Sequence, residues 1–169
     1  GLEMADKRNK ILSLTNLSLS GDFPTLVDNC IEYINVKDLD AIKTLVNENS
    51  NDIYEIGRLI KKSIFSGYTE LLDWLLFEYG HVAILVNLEL LDNLLMSSNS
   101  DMLELILSKY DRLFAFDIIY DSSIDKCILK KEFKILEILK KYNIKLPSKR
   151  IVYVATQLNI IDEVTPYLF

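Results

Sequence analysis

The sequence predicts an all-α fold, and three observations carry that prediction. Glycine and proline are scarce, 5 and 3 in 169 residues, so the chain has few places to break a helix. Apolar residues recur at helical spacing in one segment after another. Those segments also recur along the chain at a nearly fixed interval, the signature of stacked supersecondary units.

Taken in order, the chain opens with Gly1 to Glu3, which read as expression-tag residue before Met4. Residues 4–23 read as an N-terminal lead-in or cap, and 24–169 as one repeat domain. Five pairs of helix-like runs follow. "LVDNCIEYIN" precedes "KDLDAIKTLVNEN" from Lys37; "EIGRLIKKSIF" precedes "GYTELLDWLLFEYG" from Gly67; "LELLDNLLMS" precedes "NSDMLELILSKYD" from Asn99. "SSIDKCILKK" precedes "KEFKILEILKKYN" from Lys131, and "SKRIVYVATQ" precedes "NIIDEVTPYLF" from Asn159.

Four of the five second runs share one frame, an apolar triplet at i, i+1 and i+4 that lines one helical stripe. The triplets are Ala41, Ile42 and Leu45; Leu71, Leu72 and Leu75; Met102, Leu103 and Ile106; and Ile135, Leu136 and Leu139. Their first members are separated by 30, 31 and 33 residues. The last run carries Glu163 where the triplet wants an apolar side chain and Pro166 where a helix needs a donor. It reads as a degraded C-terminal cap or a truncation point in a longer chain.

In this frame the chain resembles the ankyrin-repeat family, in which a short inner helix is followed by a "G-H-x-E-[IV]-V-x-x-L-L" outer helix and an extended connector. "GYTELLDWLL", Gly67 to Leu76, carries the resemblance best. Eight positions before each triplet, where the family places a small residue, stand Tyr33, Ser63, Leu94, Cys127 and Ala155, of which Ser63, Cys127 and Ala155 fit. The family's T-P-L-H opening is absent, so apolar burial is expected to hold more of the stack. The resemblance implies an ankyrin-like solenoid of stacked antiparallel helix pairs. It also implies a non-catalytic protein-interaction module, with a structural or dimerisation domain of a longer scaffold as the alternative.

Composition sets further bounds. A net charge of −6, from 19 Lys and Arg against 25 Asp and Glu, argues against a duplex nucleic-acid binder. No window approaches 18 consecutive apolar residues, and the expectation is an intracellular protein, cytoplasmic or nuclear, that engages no membrane. Cys30 and Cys127 sit in apolar-periodic runs without metal-ligand spacing and read as buried free thiols. His81 is the sole histidine, and no nucleotide, hydrolase or zinc motif is present. No catalytic residue, metal or cofactor is expected.

The connectors and the ends of the inner helices are where a binding surface is expected. "NENSNDIYEIG", Asn47 to Gly57, reads as a polar loop. "KYDRLFAFDIIYDSS", Lys109 to Ser123, alternates Phe114, Phe116, Ile118 and Tyr120 with Ala115, Asp117, Ile119 and Asp121, which suggests an extended connector with two unlike faces. Its aromatics either plug the groove between repeats or contact a partner. Trp74 reads as packing between repeats. In the ankyrin-like frame the concave side would carry Tyr54, Glu55, Phe65, Ser66, Met96, Ser97, Asp117, Ile119, Tyr120 and Asp121. Apolar rings among carboxylates suit a partner protein segment with basic and aliphatic residues.

Overall fold

The chain is all-helical: among the residues described, there are ten α-helices, two short 3₁₀ turns and no strand. A computed structural model describes residues 24–49, 51–115 and 117–168. The expected tag, the 4–23 lead-in, Phe116 and Phe169 lie outside them. The chain divides into two compact units, Gly1–Ser50 and Asn51–Phe169.

In the first unit, α1 (Leu26–Asn35) packs on α2 (Leu39–Glu48). A capping box starts α1: the Thr25 hydroxyl accepts from Asp28 N–H at 3.1 Å, and the Asp28 carboxylate accepts from Thr25 N–H at 2.9 Å. Asp38 caps α2 through Ala41 N–H at 3.2 Å. Leu26, Cys30 and Ile34 bury one side of α1, and Ile42 and Val46 one side of α2.

The second unit runs α3 (Ile53–Phe65), α4 (Thr69–Leu85), α5 (Leu90–Met96), α6 (Ser100–Lys109), α7 (Asp121–Leu129), α8 (Phe133–Lys141), α9 (Ser148–Gln157) and α10 (Ile161–Val164). One 3₁₀ turn (Asp111–Phe114) follows α6 and another (Thr165–Tyr167) follows α10. Consecutive helices pair α3 with α4, α5 with α6, α7 with α8 and α9 with α10. Across pairs, α3 packs on α5, α5 on α7 and α7 on α9, while α6 packs on α8. The triplets Leu71–Leu72–Leu75, Met102–Leu103–Ile106 and Ile135–Leu136–Leu139 are all buried, and in the last run Val164 is buried while Glu163 is exposed.

One turn chemistry closes the pairs. Lys37, Gly67, Ser98, Lys131 and Asn159 all take left-handed φ values, between 53° and 67°. At Lys37, Gly67, Lys131 and Asn159 the next residue donates its N–H to the carbonyl five residues back, at Tyr33, Ser63, Cys127 and Ala155, the outer bond of a Schellman motif. The positions where the resemblance wants small residues are therefore the acceptors of these turns. Only Gly67 adopts this backbone without a side-chain penalty.

Three local expectations are corrected. The polar loop before α3 is shorter than expected, because the Asp52 carboxylate accepts from Glu55 N–H at 3.2 Å and starts the helix at Ile53. Tyr54 and Glu55 therefore stand on a helix, and Gly57 is inside it; a Cβ there would meet Val86 Cγ2 at 3.0 Å. Gly80 does not end α4: the helix bends at Tyr79 (φ −129°, ψ 23°) and a second segment runs on to Leu85. The connector after α6 is extended only at its end, where Tyr120 has an extended backbone (φ −79°, ψ 148°); its first part is curled. Leu113, Ala115 and Asp117 donate to Tyr110, Arg112 and Phe114, curling the chain, and Phe114 is buried.

Polar rungs supplement apolar burial between pairs. On the outer helices, Lys109 Nζ reaches Asp73 at 2.7 Å and the Tyr110 hydroxyl donates to the Asp73 carbonyl at 2.9 Å. One pair later, Lys141 Nζ meets Glu104 at 2.5 Å and the Tyr142 hydroxyl donates to Glu104 at 3.2 Å. On the inner helices, Ser123 donates to Asp92, Lys126 Nζ donates to Leu95 O and Ser98 Oγ at 2.6 Å each, and Arg150 donates twice to Asp125, at 2.8 and 2.6 Å.

Leu72 and Leu103 are fully buried, so truncating either to Ala is expected to cost roughly 2–5 kcal/mol in denaturant unfolding. Lys131→Ala is expected to stay within about 0.5 kcal/mol of wild type. Lys131→Gly instead is expected to raise stability by about 0.5–1 kcal/mol, because the relief of left-handed strain exceeds the added entropy of the unfolded chain. A destabilised Lys131→Gly would contradict the turn assignment.

Candidate functional site

Six exposed apolar side chains of the second unit fall in two sets at equivalent positions. Phe65, Met96 and Leu129 each stand two residues before a left-handed turn residue, at the last positions of α3, α5 and α7. They are 50%, 43% and 61% exposed. Since α3 packs on α5 and α5 on α7, the three form one row across neighbouring helix ends. Tyr54, Leu85 and Ile118 form a second set, each thirteen residues before Gly67, Ser98 or Lys131. These are more exposed than the first three, at 66%, 64% and 65%. Isolated exposed apolar residues need no explanation, but rows at register positions across packed helices do.

The expected site residues distribute across this face unequally. Tyr54, Phe65 and Met96 lie in the rows. Glu55 is half-buried and pairs with Arg58 at 2.6 Å. Ser66 and Ser97 are helix C-caps, and Ser97 Oγ donates to Leu94 O at 2.8 Å. Asp121 is exposed at the first turn of α7, and Ile119 is half-buried beside it. Tyr120 donates its hydroxyl to Glu89, which with burial raises the phenol above its ordinary value. Sequence reasoning missed Leu85 and Leu129, although their fixed offset from the turn residues was available to find them.

Asp117 has a structural duty as well. Its Oδ2 accepts from Leu91 N–H at 2.8 Å, so a connector residue caps the first turn of α5 from 26 positions away. Burial pushes its carboxyl above the ordinary value, the Leu91 N–H opposes that shift, and the Glu89 carboxylate adds to it. Glu89 takes a left-handed backbone (φ 58°) at the start of α5, held by the Asn93 amide, which donates to Leu88 O at 2.8 Å and Glu89 O at 3.2 Å. Ala83, Ile84, Leu90 and Leu113 join Glu89, Asp117, Asn87 and Arg112 around a cleft of about 140 Å³.

Other chemistry-bearing residues do not converge. Among the described residues, no three His, Cys, Asp or Glu side chains gather to hold a metal ion. Cys30 and Cys127 are buried free thiols that burial pushes up to about 11, which keeps them protonated and unreactive. Trp74 is half-buried, edge-on to Tyr79 at 5.9 Å. No single helix among the described residues is long and apolar enough to cross a membrane. Comparison with family models, curated proteins and solved structures finds no match to the chain.

The raised Asp117 carboxyl gives a signed expectation. A folded-state value above the unfolded one means that the protonated form is favoured by folding, and that this contribution is lost as pH rises through the folded value. Asp117→Asn keeps an acceptor for Leu91 N–H and removes the charge. It is expected to melt above wild type at pH 7, with the gap closing below the ordinary value of 3.8. A variant that melts lower than wild type at pH 7 would show that the charged cap outweighs burial and Glu89.

Proposed function

We propose that the chain is a non-catalytic protein-interaction module, an ankyrin-like solenoid whose inner helix ends and connectors grip a segment of a partner protein. The observation that carries this reading is the row Phe65, Met96 and Leu129 at the exposed ends of three successively packed helices. The recurrence of one left-handed turn at Lys37, Gly67, Ser98, Lys131 and Asn159 supports the solenoid part of the reading. Glu89, Asp117 and Asp121 lie toward the second apolar set, Leu85 and Ile118, and give that part of the face an acidic character.

Apolar anchors in such a setting supply buried area, while carboxylates steer association and select charge. The partner segment is therefore one that places aliphatic side chains beside Lys or Arg. The test uses affinity capture with the chain, mass-spectrometric identification of what it binds, and the variants Phe65→Ser, Met96→Lys and Leu129→Lys. Each replaces an exposed side chain and is expected to leave stability within about 0.5 kcal/mol of wild type. Each is also expected to weaken the captured partner by about tenfold or more. Undiminished binding by all three variants would reject the face.

A further inference from the structure

The cleft beside α5 brings aliphatic and acidic side chains together. Its lining combines four aliphatic side chains, Ala83, Ile84, Leu90 and Leu113, with two carboxylates, Glu89 and Asp117. At about 140 Å³ it is smaller than the roughly 300–1,000 Å³ of small-molecule pockets and suits a single side chain. Among the described residues, neither carboxylate has a cationic partner. Glu89 accepts from the Tyr120 hydroxyl and Asp117 from Leu91 N–H, both neutral donors. Arg112 also lines the cleft, yet it forms no ion pair with either carboxylate.

We infer that this cleft is the pocket for one Lys or Arg side chain of the partner segment, its methylene stem against Ile84 and Leu113 and its charged head between Glu89 and Asp117. The inference rests on the interaction-module reading and adds to it the residue type that the partner must supply. Long basic side chains bury an aliphatic stem while their head keeps polar company, and the cleft lining supplies both aliphatic side chains and carboxylates. An occupying cation also relieves the penalty that Asp117 bears from burial and from the Glu89 charge. Ile118, one member of the second apolar set, follows Asp117 directly in sequence, so a basic residue anchored there leaves a neighbour of the segment beside it.

The experiment titrates n-butylammonium, n-butylguanidinium, n-pentanol and butyrate into the full chain and follows the Ile84 and Leu113 methyl resonances. Saturable shifts are expected with the two cations and not with butyrate, and pentanol is expected to bind at least about tenfold more weakly than butylammonium. The isosteric double variant Glu89→Gln, Asp117→Asn is expected to weaken the cations by about tenfold or more while leaving pentanol unchanged. Arg112→Ala is expected to tighten them, since it removes the competing charge on the rim. Equal shifts from pentanol and butylammonium, no saturable shift, or cation binding that survives the double variant would overturn the inference. Met96→Lys, which lies outside the cleft lining, separates the two claims. If it abolishes capture of a protein partner while the cations never bind the cleft, only the pocket assignment fails; if the cations bind and no protein is captured, the module reading fails.

Discussion

The left-handed turn that ends each inner helix is the constraint on which the rest of the second unit depends. A helix must satisfy its last carbonyls, and the Schellman pair does so while reversing the chain within two residues. The reversal sets the outer helix against its partner and turns the apolar triplet inward. Because the same left-handed reversal recurs at Gly67, Ser98, Lys131 and Asn159, with the outer Schellman bond at all but Ser98, side chains at a fixed offset from it fall into register from one pair to the next. The buried triplets and the exposed rows are two consequences of one geometry. Three of those four residues are not glycine, so the chain accepts torsional strain at most of its turns and offsets it by packing.

Between pairs, the chain uses side-chain rungs where the resemblance would use a shared turn motif. Asp73 with Lys109 and Tyr110, and Glu104 with Lys141 and Tyr142, repeat the same Lys-Tyr device on successive outer helices. The Lys109 and Tyr110 bonds hold the Asp73 carboxyl below its ordinary value against the opposing effect of burial, and Lys141 does the same for Glu104. Both rungs therefore lose strength as pH falls through those depressed values. Asp117 runs the other way, with burial and Glu89 raising it.

The outer helices were legible in the sequence because a strictly buried stripe leaves a strict period, as Leu71, Leu72 and Leu75 show. The second segment of α4 was not. The repeat run closes at Gly80, yet the backbone continues past the bend at Tyr79 into a second segment, and Gly80 packs close to Leu113. The connector after α6 was misread for a related reason: its alternating apolar residues suggest an extended chain, but i to i+3 hydrogen bonds from Tyr110 onward curl its first part. Phe65 and Met96 were found from their place before a turn. Leu129 obeys the same rule but stands in "ILKKEFK", whose lysines make the run read as a solvated helix face. The cap from Asp117 to Leu91 joins residues 26 apart, and no local pattern reports such a bond.

The central claim is that the inner helix ends, not the outer helices, form the binding face. Hydroxyl-radical footprinting of the full chain, free and bound to its captured partner, tests it most directly, because exposed aromatic and sulfur side chains report on both faces in one measurement. Phe77, on the outer helix α4, is 76% exposed and serves as the internal reference. The account predicts that Tyr54, Phe65 and Met96 become protected in the complex while Phe77 stays as reactive as in the free chain. Protection of Phe77 with Phe65 and Met96 unchanged would contradict it.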